Sequence, residues 1–118
     1  MTDNAVIGLF MDKYPKLQSF YEEEQSILAY SGAPMTTFLF FSFVVADAIG
    51  KAIDENDHSF IKTILDDIER LFGENIANYS EIISNTVFEN FSAEVTEREL
   101  RRYFGVELEK LYVNFLSA

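Results

Sequence analysis

Carboxylates are the residues with chemistry to offer. The chain has twenty acids against nine bases, one histidine and no cysteine. Catalysis by a Ser or Cys triad needs an imidazole to move the proton, and the single imidazole, His58, stands beside an expected helix start. Asp54, Asp57 and His58 offer oxygen and nitrogen to a divalent ion, but such sites take three or four convergent ligands, and Asp57 is better used as a helix cap. Asp66-Asp67-Ile68-Glu69-Arg70 has the opening of an aspartate-rich magnesium motif. Its fifth position is Arg70 rather than an acid, placed to pair with Asp66 one turn back. A di-metal carboxylate bundle needs two Glu-x-x-His units, which one histidine cannot supply. Five scattered glycines make no phosphate loop. The residues point to no enzyme, no metal and no cofactor.

The elements that position these carboxylates read as helices throughout. The central one is 34–54, PMTTFLFFSFVVADAIGKAID, whose apolar residues point in every direction of a helical wheel, as they do when neighbours cover a helix on most sides. Before it, Asp3 or Asn4 caps a helix through Lys13, and a second runs from Pro15 to about Tyr30, with Leu17, Phe20, Tyr21, Ile27 and Leu28 as its apolar stripe. Glu24 falls in that stripe, so an ion pair or a helix tilt toward water is expected for it. Gly32 closes this helix and Pro34 opens the next.

After the acidic turn 54–57, Asp57 caps a helix to Phe72, which Gly73 ends. A fifth helix spans about Asn75 to Phe91 and buries Ile76, Tyr79, Ile82, Ile83, Val87 and Phe91. Thr96-x-x-Glu99 is a capping box for a short helix ending near Gly105, and the last helix runs from Val106 to Leu116. The expected fold is all-α: a single-domain bundle, residues 1–118, of about seven short helices in antiparallel pairs around the central helix.

Composition narrows the partners. A formal charge of −11 repels nucleic acid and anionic lipid and speeds association with basic proteins. The uncharged stretch 25–46 is broken by a turn, and its strongly apolar part falls short of the ~20 residues that cross a bilayer. The amino terminus has an acid where an export signal has its basic region. With no cysteine, a cytoplasmic location is expected. Arg98, Arg101 and Arg102 are one cationic cluster, expected to pair with nearby acids.

What remains is an acidic surface for binding. Asp54, Glu55 and Asp57 in the turn, Asp66 and Glu69 on the fourth helix, and Glu74, Asn78, Glu81, Asn85 and Glu89 along one face of the fifth are expected to present one partner-sized patch. Spacings of four, three, four and four residues align that last set. An alternative is a groove between helices, with Tyr30, Tyr103 or Tyr112 as aromatic contacts.

The acidic turn, FIKTILDDIERLFGE, VFENF, RRYFG and ELEKLY over residues 55–115, with YEEE upstream at 21–24, resemble small helical bacterial immunity proteins of contact-dependent growth-inhibition systems. The resemblance implies a cytoplasmic monomer that binds one cognate toxin domain one to one, very often a nuclease and so basic where it grips phosphates. It supplies no universal contact residues.

Overall fold

Seven helices account for most of the chain. The structure, a computed structural model, describes residues 2–118 apart from the side chains of Glu74 and Ile76. The helices are α1 (Asp3–Lys13), α2 (15–31), α3 (37–54), α4 (His58–Phe72), α5 (76–89), α6 (93–103) and α7 (Val106–Leu116), with no strand among the described residues. No helix of the described residues is long and apolar enough to cross a membrane. The radius of gyration, 13.7 Å, is that of one tightly packed domain of this length.

The central helix is where the sequence places it. α3 packs against α1, α2, α4 and α5, and buries Phe40, Phe41, Val44, Val45, Ala48, Ile49 and Ala52. α4 contributes Phe60, Ile61, Ile64, Leu65, Ile68 and Phe72 from one stripe. Aromatic rings join the layers edge to face: Phe10 with Phe41 at 5.0 Å, and Phe41 with Phe72 at 5.2 Å. α6 packs on α4 and α7 on α5, closed by a second aromatic cluster of Phe88, Phe104, Tyr112 and Phe115. The expected face of α5 lacked Phe88, which is buried at the centre of that cluster.

Several helix ends differ from expectation. Thr2, not Asp3 or Asn4, caps α1 by accepting from Ala5 N (3.2 Å). Asp3 reaches across to Thr37 instead, accepting from its backbone N (3.0 Å) and its hydroxyl. α3 starts at Thr37 under a Thr36 cap, because Thr36 offers a hydroxyl to Leu39 N that Pro34 cannot. Gly32 closes α2 at φ 70° as expected, and Asp57 caps α4 by accepting from Phe60 N. Gly73 keeps helical angles and leads into a 3₁₀ turn instead of ending the helix outright. Ser92, not Thr96, caps α6; Thr96 is buried one turn inside it.

Three helices contain π turns: 40–45 in α3, 84–89 in α5 and 96–100 in α6. Each holds one buried hydroxyl without a partner among the described residues, respectively Ser42, Thr86 and Thr96. The π turn of α3 has a visible consequence. In a regular helix, residues five apart are turned by about 140° and cannot share a face. The wider turn realigns them. Phe38 and Phe43 are both exposed, 40% and 45%, on a helix whose other faces are largely covered.

Candidate functional site

The acids divide into those already committed and those left open. Seven of the nine bases, Lys13, Lys16, Lys62, Arg70, Arg98, Arg101 and Arg102, are held in ion pairs. Asp57 both caps α4 and pairs with Lys16, and these bonds hold its carboxyl below the usual range. Asp66 pairs with Lys62 at 2.8 Å, not with Arg70, which turns to Asp67 at 3.3 Å. Burial would push Asp67 up, but hydrogen bonds from Lys13 and the Tyr14 hydroxyl outweigh it and the carboxyl sits below its usual range.

Glu69 does not face a partner. Its carboxylate accepts from the backbone N of Glu107 (2.6 Å) and Leu108 (2.9 Å), closing the first turn of α7. The three arginines of α6 are spent on acids as expected: Arg98 on Glu94 and Glu99, Arg101 on Glu97 and Glu109, Arg102 on Glu99. Arg102 also lies 3.1 Å from His58 Nδ1. Tyr112 is buried, its hydroxyl donated to Glu97, so it is no surface aromatic; Tyr30 is 95% exposed.

On α5, Asn78, Glu81 and Glu89 are exposed, and Asn85 is half-buried with its amide donated to Glu81 O (2.8 Å). The Glu74 side chain lies outside the described residues. Asp54 and Glu55 are exposed at the end of α3. Of the expected set, Asp57, Asp66 and Glu69 are committed within the chain, while Asp54, Glu55, Asn78, Glu81 and Glu89 are exposed.

A further group of carboxylates lies on α2 and α3, of which the sequence singles out Glu24 and Asp54 but not Glu23 or Asp47. A channel of about 470 Å³ is floored by Asp47, Gly50, Lys51 and Asp54 of α3 and walled by Phe20 and Glu23 of α2 on one side and Asn90 and Phe91 on the other. Among the described residues no base lies within ion-pair distance of Glu23, Glu24, Asp47 or Asp54; Lys51 sits over the Phe20 ring at 6.0 Å. Glu24 is half-buried without the expected cationic partner. Burial, then the charges of Asp47 and Glu23, push its carboxyl above the usual range. Burial and Glu23 do the same to Asp47. The helix stripe flags Glu24, whereas Asp47 carries no such signal in the sequence.

Residues 7–117 match the model of a family described as Domain of unknown function (DUF7674). The chain belongs to the DUF7674 family. No curated protein matches it. No solved structure matches it either. The family match spans α2, α3 and α5, and so takes in the whole channel.

Proposed function

We propose that this protein is an immunity protein: a binding inhibitor, without catalysis of its own, that neutralises a cognate toxin domain in the bacterial cytoplasm through its acidic surface. The contact surface is the α2–α3 channel with Asp54 at its end, extended by Glu81 and Glu89 of α5. One observation carries this reading. Glu23, Glu24 and Asp47 lie near enough to act on one another, burial and that proximity raise the carboxyls of Glu24 and Asp47, and among the described residues no base, Lys51 included, is at ion-pair distance. A surface that keeps like charges close lowers its free energy when a cationic partner arrives. A nuclease, basic where it grips phosphate, is such a partner, and the net charge of −11 steers it in.

The complex is one to one, and its association rate falls as salt rises, because the Debye length shrinks to about 8 Å at physiological ionic strength. Affinity capture from the native host at low salt, followed by a nuclease assay on what is captured, tests this. A basic domain that is bound stoichiometrically, released by salt and silenced by added protein supports the reading. A housekeeping protein held regardless of salt contradicts it.

A second reading rests on another groove. Between α1 and α4, Leu9, Phe10, Tyr14 and Leu71 line one side of a groove of about 460 Å³ whose other lining residues are Lys13, Asp67, Arg70 and Asn75. A helical adaptor would hold a partner there on the apolar side chains, and its affinity would depend on salt less than that of the acidic surface.

A further inference from the structure

The groove between α1 and α4 differs in sign from the acidic channel and shares no lining residue with it. Leu9 and Lys13 stand one turn apart on α1, as do Asp67 and Leu71 on α4, and Tyr14 follows directly on the end of α1. The rings of Phe10 and Tyr14 stack at 5.9 Å and give the groove an apolar wall, and Leu9 beside them is exposed. Apolar surface and charge therefore meet in one place.

Two bases of the lining share one acid. Asp67 Oδ2 pairs with Lys13 at 2.6 Å and accepts from the Tyr14 hydroxyl, while Oδ1 meets Arg70 Nη1 at 3.3 Å. Burial and the bond to Asp67 push the Tyr14 phenol up, so it keeps its proton and adds no charge. The lining thus holds one positive charge in excess, where the acidic channel sets Lys51 against Glu23, Asp47 and Asp54. Asp67 is largely covered, with 14% of its side chain exposed, whereas Lys13 is 51% and Arg70 74% exposed. Among the described residues neither base has another acid at ion-pair distance, and Arg70 spends a single N–H on Asp67. Both cationic heads remain open to a second anion.

That charge decides the occupant. A cation is repelled, and a purely apolar group would strip Lys13 and Arg70 of water without giving them an anion. An apolar body that carries a carboxylate answers both halves of the lining, and about 460 Å³ is the size of a small-ligand pocket. We infer that this groove binds a small amphipathic acid, its carboxylate held by Lys13 and Arg70 and its apolar body laid against Leu9, Phe10, Tyr14 and Leu71. The site is independent of the proposed inhibitor role and stands even if the acidic channel binds nothing.

The test titrates the full chain, labelled with nitrogen-15, with octanoate, octanamide and octylammonium, which share one apolar body and differ in charge. Octanoate should shift the backbone signals of Leu9, Lys13, Arg70 and Leu71 saturably, and octanamide about tenfold more weakly. Octylammonium should leave them in place, although a molecule of charge −11 attracts it overall. Arg70→Gln and Leu9→Ser alter exposed side chains, and each variant, confirmed folded by circular dichroism, should weaken octanoate about tenfold. Equal binding of all three compounds overturns the inference, as do shifts confined to other residues or no shift at all. An acetylated peptide ending in leucine with a free carboxylate is run beside them. Groove shifts from that peptide and not from octanoate would place a partner's chain end there and overturn the small acid.

Discussion

Glu69 of α4 is the N-terminal cap of α7: its two oxygens accept from Glu107 N at 2.6 Å and Leu108 N at 2.9 Å, across 38 residues of chain. The approach is possible because residue 105 is glycine. A Cβ there would lie 2.5 Å from Glu69 Oε1. Glu69→Ala should therefore cost about 1–2 kcal/mol, the range of a lost helix cap. Gly105→Ala should cost a similar amount by displacing the carboxylate. Urea denaturation of the double variant should show strong non-additivity, since both changes remove one cap.

The π turns predict an unusual gain. Thr86 is 1% exposed with no partner for its hydroxyl among the described residues. An unsatisfied buried hydroxyl is a cost that an apolar isostere avoids. Thr86→Val should raise stability by up to about 1 kcal/mol, read as a higher urea midpoint at constant slope.

Phe88 is the core position that the sequence stripe missed. It touches Phe104, Tyr112 and Phe115 at ring distances of 5.2–5.9 Å and is 3% exposed. Phe88→Ala should cost about 3–5 kcal/mol, measured by thermal or urea denaturation.

Stability should vary with pH in two opposing ways. Asp3, Asp57, Asp67, Glu97 and Glu109 have carboxyls below their usual range. The stability they contribute is complete above the unfolded values of 3.8 and 4.5 and is lost as pH falls through the lower folded ones. Glu24 and Asp47 are raised, so their ionisation destabilises the fold at neutral pH and protonation relieves it. Their surroundings are Glu23 on α2 and Lys51 and Asp54 on α3. A denaturation series should show stability rising slightly as pH falls through the raised folded values of Glu24 and Asp47 toward their unfolded ones of 4.5 and 3.8, then falling as the lowered carboxyls protonate.

Much of the architecture is legible in the sequence, because helices announce themselves by periodicity and by caps. The continuous apolar run of α3, the stripe of α4, Gly32 and Asp57 all do what their types suggest. The π turns are not legible: an inserted residue leaves no mark on composition, and it turned Phe38 and Phe43 from expected core into surface. Thr96-x-x-Glu99 has the letters of a capping box, but Ser92 stands one turn earlier and takes the cap. Among the site residues, Asp57 is legible as a cap and Asp66 as half of an ion pair, but the partners are not: Lys62 takes Asp66 in place of Arg70, and Lys16 and the α7 backbone reach Asp57 and Glu69 only through the fold. The Asp47–Glu24 cluster was half visible, through Glu24 alone.

The central claim is that Glu24 and Asp47 are kept at a cost to the fold because they serve binding. The most direct measurement is the urea midpoint of the Glu24→Gln, Asp47→Asn double variant against the parent chain at pH 7 and pH 4. The account predicts a higher midpoint for the variant at pH 7, at unchanged slope, and a difference that shrinks at pH 4 where the parent carboxyls protonate. A lower midpoint at pH 7 would contradict it, because these carboxylates would then be holding the structure together.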